Sequence, residues 1–172
     1  TQGVSSAASD VYKRQIYADV AADAGHTLTF DTDSALQVSG DPDLLTQMMA
    51  NLIENAINHA PAPARIAVTL RGLADGSVLW RIEDDGPGIP EAERGNVFRR
   101  LYRLNSSRST PGNGLGLSMV AAIADLHRAT VRLDDAAPGL RVSLCFDGLV
   151  DEDGGAGRNP LAVDDGNIGK AG

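Results

Sequence analysis

The amino-acid sequence predicts an α/β protein: a two-layer sandwich with a mixed, mostly antiparallel five-stranded sheet covered on one face by about three helices. Three observations carry this. Patterned segments run helix, strands, helix, hairpin, long loop, helix, hairpin, which is not the alternation of βαβ units around a parallel sheet. The strand-like segments alternate apolar and polar residues, as strands with one covered face do. At 172 residues the chain has room for one ordinary domain with a proper core, and little more.

From Ile16 to Ala24, IYADVAADA has helical apolar spacing and stops at Gly25. HTLTFD then alternates like a strand, and ALQVSG like a second short one. Asp41-Pro42 starts a helix, with a capping carboxylate followed by proline in the first turn, and the helix runs to about His59 before Pro61 and Pro63. RIAVTLR and VLWRIED form a hairpin around Ala74–Ser77. Gly86 to Gly112 is rich in Gly, Pro, Arg, Ser and Asn, with one short helical piece near Glu91 to Leu101; so long a connection reads as a functional lid. A helix follows from about Leu115 to His127, then ATVRL and LRVSLCF around a Pro138-Gly139 turn.

Composition narrows the function classes. Apolar residues make up 42% and aromatics only 4%, so Ala, Val, Leu and Ile build the core. The single cysteine, Cys145, excludes a disulfide framework or cysteine metal cluster and reads as a plain buried residue. A net charge of −8 argues against a nucleic-acid partner, which needs a basic face. About half of that charge lies in residues 147–172, a Gly- and Asp-rich tail with little to bury that is predicted to be disordered. No run of eighteen apolar residues exists to span a membrane, so no membrane contact is expected of this stretch.

Residues Ser5 to Gln15, SSAASDVYKRQ, resemble the translation of a transposase-based sequencing adapter. A native helix start is the alternative. The chain has thirteen arginines and two lysines, and one of those lysines, Lys13, falls inside this string. Residues 1–15 are therefore expected to be a non-native leader, residues 16–146 the domain, and the chain a fragment of a longer protein.

Four segments carry chemistry. In ANLIENAINHA, Leu45, Met48, Leu52 and Ala56, with Met49 and Ile53 beside them, face the core, while Asn51, Asn55, Asn58 and His59 share the opposite stripe. Asparagine is a poor helix former, yet its carboxamide oxygen can hold a hard cation such as Mg²⁺ while its NH₂ meets phosphate oxygens. A solvated polar face would look the same. EDDGPGIP follows a strand, placing carboxylates and glycines where backbone could approach a flat ligand, though Asp-Gly-Pro-Gly is also an ordinary turn. NVFRRLYR offers Phe98 and Leu101 to pin the lid and arginines to face phosphate, or is a basic surface helix. GNGLGLSMV opens a helix with free N–H groups for an anion, or is a tight turn; it is neither a P-loop nor a dinucleotide fingerprint.

In this order and spacing, the four segments resemble the N, first glycine, F and second glycine boxes of sensor histidine kinases, over about Ile16 to Phe146. That family belongs to the ATPase superfamily shared with gyrase, the gyrase-like heat-shock chaperone and MutL. The resemblance implies a Bergerat-type catalytic ATP-binding domain with a long ATP lid. It implies ATP and Mg²⁺, with Asn55 as the metal ligand and Asn51 nearby on the phosphates. Glu54 would assist the incoming histidine, and Asp84 would bind the adenine amine against Gly86, Gly88 and Ile89. Tyr102 and Arg103 would sit near the terminal phosphate, while Gly112, Gly114, Leu115, Gly116 and Leu117 wrap the triphosphate. Asn58 and His59 occupy the remaining ATP-binding positions of the N box.

The implied partners are a dimerisation and phosphoacceptor domain of the same kinase and a downstream response regulator. The implied setting is a cytoplasmic domain of an inner-membrane-anchored parent. Four departures from the family pattern stand out. Asn58 stands where Lys or Arg is usual, removing a charged contact worth roughly 1.5–3 kcal/mol. His59 replaces a frequent tyrosine, Leu101 a second phenylalanine, and His127-Arg128-Ala129 a common His-Gly-Gly. Hydrolysing members carry a glutamate at the position of Asn51, and an asparagine there cannot serve as a base. Two other readings remain: a chaperone- or topoisomerase-type ATPase, disfavoured by Asn51, and a regulatory nucleotide-binding module or anti-sigma-factor-like serine kinase. None of His26, His59 and His127 stands in the setting of a phosphoacceptor.

Overall fold

The computed structural model describes residues 7–34, 36–99 and 115–148. Its sheet contains β1 (Thr27–Thr32), β2 (Arg65–Gly72), β3 (Val78–Asp84), β4 (Thr130–Asp135) and β5 (Leu140–Phe146) in the order β1-β2-β3-β5-β4. Only β1 and β2 pair in parallel; the other three pairings are antiparallel. The helices are α1 (Ala7–Asp23), α2 (Pro42–His59), the single turn α3 (Glu91–Arg94) and α4 (Gly116–Leu126). The predicted mixed five-stranded sandwich is the fold observed.

Alternation decides which face is covered. Ile66, Val68, Trp80, Ile82, Val142, Leu144 and Leu133 are all buried, and register aligns them in rows across β2, β3, β5 and β4. Met48, Leu52, Ile53, Ala56 and Ile57 of α2 and Val120, Ile123 and Ala124 of α4 close over this face. The other face carries ion pairs, Arg71 with Asp31 and Asp33, which are exposed, and Arg141 with Glu83, which is part-buried. Cys145 is fully buried, as its sequence context predicts, and burial pushes its thiol pKa up.

The helix boundaries follow from chemistry. Asp41 Oδ1 accepts from the N–H groups of Asp43 (2.9 Å) and Leu44 (3.1 Å), with Pro42 in the first turn. At the end of α1, the N–H of Gly25 reaches Ala22 O and that of His26 reaches Ala21 O, a Schellman closure. α4 ends the same way, Arg128 N–H on Asp125 O and Ala129 N–H on Ala124 O, which puts Arg128 in the left-handed region at φ 53. This is the position where the family commonly has glycine, and the geometry gives the reason.

Two expectations need correction. ALQVSG forms no strand in its described residues: Leu36 and Val38 pack against the core from an extended connection that joins no ladder. The first helix begins at Ala7 rather than Ile16, because residues 7–15 contain no breaker and good helix formers. The predicted helical piece to Leu101 is seen only as Glu91–Arg94, and residues 100–114 lie outside the described residues, as do 149–172.

Because a non-glycine left-handed residue costs about 1 kcal/mol, Arg128→Gly should stabilise the domain by about that amount in urea denaturation.

Candidate functional site

β3 ends at Asp84, paired with Ile66 and in line with Trp80 and Ile82, so its carboxylate lies on the helix-covered side of the sheet. Its Oδ1 accepts from Gly86 N–H at 2.9 Å and, more weakly, from Leu140 N–H at 3.4 Å. Burial pushes the Asp84 pKa up; these two N–H groups and His59 oppose the shift, while Asp85 adds to it. The influence of His59 brings the end of α2 to this carboxylate, and a Cβ at Gly86 would lie 3.1 Å from Ala60 Cα.

The corner depends on backbone meeting backbone. A Cβ at Gly139, where φ is +108, would stand 1.7 Å from Asp84 O and 3.0 Å from Asp85 Cα. A Cβ at Gly88, where φ is +69, would likewise stand 2.9 Å from Gly139 O. The β4–β5 turn is thus pressed under the end of β3. The sequence marks Pro138-Gly139 only as a turn; its close approach to Asp84, 55 positions away, left no local signal.

On α2, Asn51 and Asn55 are half-buried, and Glu54, Asn58 and His59 are exposed. Asn51 Nδ2 is buried with no hydrogen-bond partner. Such an atom costs stability unless a ligand satisfies it. Glu54 and burial both raise the Tyr17 pKa, burial more, which sets α1 beside this face. Ile89 is half-buried against the core, and its carbonyl accepts from Arg94 Nε at 3.0 Å. Leu115, Gly116 and Leu117 are half-buried at the start of α4, and among the described residues no side chain caps that end. Helix α4 packs on α2, and His127, just past its end, meets Asp41 at the start of α2, so the two helices run antiparallel. His59, Asp84, Gly86 and Gly88 therefore border one corner, and Asn51 and Asn55 lie further along α2, the helix on which α4 packs. Tyr102, Arg103, Gly112 and Gly114 lie outside the described residues.

Two outcomes are expected. The fold disfavours ionised Asp84, so its charge weakens the fold at neutral pH, and the cost vanishes once folded and unfolded forms are both protonated. Asp84→Asn should then melt no lower than the unaltered chain at pH 7, its advantage shrinking as pH falls toward about 4, in calorimetry across that range. Gly139→Ala should destabilise by more than about 2 kcal/mol in the same assay, because Asp84 backbone fills the space.

Comparison with known proteins fits this geometry. Residues 40–149 match the family model described as histidine kinase-, DNA gyrase B-, and HSP90-like ATPase. The signal transduction histidine-protein kinase/phosphatase MprB of Mycobacterium leprae (strain TN) is 40% identical over 105 residues, 61% of this chain and 20% of that protein. MprB of Mycolicibacterium paratuberculosis is 40% identical over 111 residues, 64% of this chain and 21% of that protein. The chain thus spans about a fifth of the length of these curated relatives. A solved mycobacterial sensor histidine kinase MprB superposes with TM-score 0.67 at 31% identity, covering 78% of this chain and 95% of that one. The catalytic domain of histidine kinase ThkA gives TM-score 0.71 at 21% identity, over 85% of this chain and 95% of that one, a likeness of fold alone. The chain belongs to the histidine kinase-, DNA gyrase B- and HSP90-like ATPase family, as a histidine-kinase catalytic domain.

Proposed function

We propose that this domain binds Mg-ATP between α2, the Asp84–Ile89 turn and the start of α4, and donates the γ-phosphoryl group to a histidine on a separate dimerisation domain. The observation that supports this best is Asp84: a half-buried carboxylate with both hydrogen bonds on Oδ1, beside glycines that let a flat base lie against backbone. The exocyclic amine of adenine donates to this carboxylate, and Gly86, Gly88 and Ile89 wall the base. Asn51 Nδ2, buried without a partner, donates to a phosphate oxygen. The backbone N–H groups of Leu115, Gly116 and Leu117, with Gly112 and Gly114, wrap the triphosphate at the helix start. Asn58 and His59 flank it, and Tyr102 and Arg103 meet the terminal phosphate.

The donor set suits Mg²⁺. Asn55 offers a neutral oxygen, and the described residues contain no group of three His, Cys, Asp or Glu that would cage a metal in protein alone. Mg²⁺ commonly keeps waters and phosphate oxygens around one or two protein ligands. When bound there, the ion neutralises phosphate charge. Glu54, exposed on α2, is placed by this reading to assist the incoming histidine. Phosphoryl transfer asks mainly for positioning and charge neutralisation, which this set of residues supplies.

The same reading makes residues 16–146 the catalytic unit, between a leader at 1–15 and a tail at 147–172. Its partners are the phosphoacceptor domain and then a response regulator, and its parent is anchored in the inner membrane with this domain in the cytoplasm. His26 and His127 use both ring nitrogens in internal hydrogen bonds, so neither is free to accept a phosphoryl group.

Titration with a fluorescent ATP analogue tests the reading. Binding should tighten with Mg²⁺, and Asn55→Ala should weaken the Mg²⁺-supported affinity about tenfold. No binding at millimolar concentration would favour a regulatory module that has lost its nucleotide. With γ-labelled ATP, label should appear on an added phosphoacceptor domain; phosphohistidine on this chain alone would contradict the proposal.

A further inference from the structure

We propose that His127 is a positioning residue for the nucleotide site: from the far end of the helix pair it fixes the register of α4 against α2. This rests on the nucleotide reading above. The His127 ring spans both helices. Nδ1–H donates to Ile123 O at 2.7 Å within α4, and Nε2 accepts from the N–H of Asp41, the residue that caps α2, at 3.0 Å. One ring nitrogen donates and the other accepts, so the bound ring is the neutral tautomer with hydrogen on Nδ1.

The seat for this ring is built from the other side as well. A Cβ at Gly40 would stand 2.2 Å from His127 Cδ2 and 2.6 Å from Nε2, so residue 40 has no side chain where the imidazole must lie. Arg128 takes a left-handed φ of 53, closing α4 immediately after the histidine. Histidine, capping aspartate and glycine come from positions 86 or 87 apart in sequence and fit as one joint.

Its functional consequence follows from helix geometry. From Leu126 back to Gly116, α4 rises about 15 Å, and the same rise along α2 from Asp41 reaches Asn51. Fixing the two helices at the joint therefore sets the height of the α4 N-terminus opposite Asn51 and Asn55. The phosphates need donors from both helices at once, so a slip of α4 along α2 separates donors that must converge. His127 touches no nucleotide. It acts through Asp41 and the packed helix pair.

The experiment measures affinity for a fluorescent ATP analogue with Mg²⁺, well below the Tm of each protein, for the unaltered chain and five variants. His127→Phe keeps the ring's bulk but makes neither bond, and should weaken affinity about tenfold. His127→Gln carries an acceptor that can reach Asp41 N–H and should recover most of that loss. Gly40→Ala expels the ring while leaving the histidine intact, and keeps the test decisive if His127→Phe does not fold. In the background His127→Ala, which leaves room for a methyl group, Gly40→Ala should cause no further loss. A 15N–15N scalar coupling between Asp41 N and His127 Nε2 should be present in the unaltered chain and absent in Gly40→Ala. Lower Tm with unchanged affinity in His127→Phe and Gly40→Ala would overturn the inference, leaving the nucleotide reading intact. Failure of the unaltered chain to bind would overturn the nucleotide reading and the inference with it.

Discussion

The contact between Gly139 and the end of β3 is the constraint on which the rest of the candidate site depends. Asp84 backbone occupies the space a side chain at residue 139 would need, so the β4–β5 turn can lie under β3 only as glycine. That placement puts Leu140 N–H within reach of Asp84 Oδ1 and brings Gly88 onto Gly139 O. The carboxylate is then half-buried, its charged form disfavoured, and one edge is committed to backbone donors. A group held in this way costs stability and needs a partner to justify it. The adenine amine is the partner our reading supplies.

Helix α2 shows the same trade between folding and function. Its inner stripe, from Met48 to Ile57, is core against the sheet. Its outer stripe spends helix propensity on Asn51, Asn55 and Asn58, and leaves Asn51 Nδ2 buried without a partner. A helix shaped only for stability would carry alanine or glutamate at those places. Helix α4 then packs on α2, with its C-terminal end held at Asp41 and its N-cap residue, Leu115, offering no side-chain cap. The site is thus assembled from two helix faces and one strand end, each aligned by contacts outside the site.

Much of this was legible in the sequence, for identifiable reasons. Strands β2 and β3 each have one covered face, so their alternation is strong, whereas β5 is buried at every position but Arg141. The bounds of α2 were legible because Asp41-Pro42 and Pro61 act locally. ALQVSG misled because alternation reports two unlike sides, and Leu36 and Val38 have those without a pairing partner. The asparagine stripe and the glycine turn after Asp84 were visible as residue types at fixed spacing. What no local pattern could show were the close approaches between distant segments. Gly139 on Asp84 and His127 on Asp41 are of that kind, as is buried His26, which bonds Ile57 O and Ala64 N–H. Arg128 lies between the two cases: its departure from glycine was visible, while its left-handed backbone was not.

The central claim is that nucleotide sits on the helix-covered side of Asp84. Its most direct test is an NMR titration of 15N-labelled protein with a non-hydrolysable ATP analogue and Mg²⁺, read as a map of shifted amides. The account predicts that the perturbed signals concentrate at Asn51–His59, Asp84–Ile89 and Leu115–Leu117. Shifts centred instead on Arg65, Glu83 and Arg141, which line the opposite side of the same strand end, would contradict it.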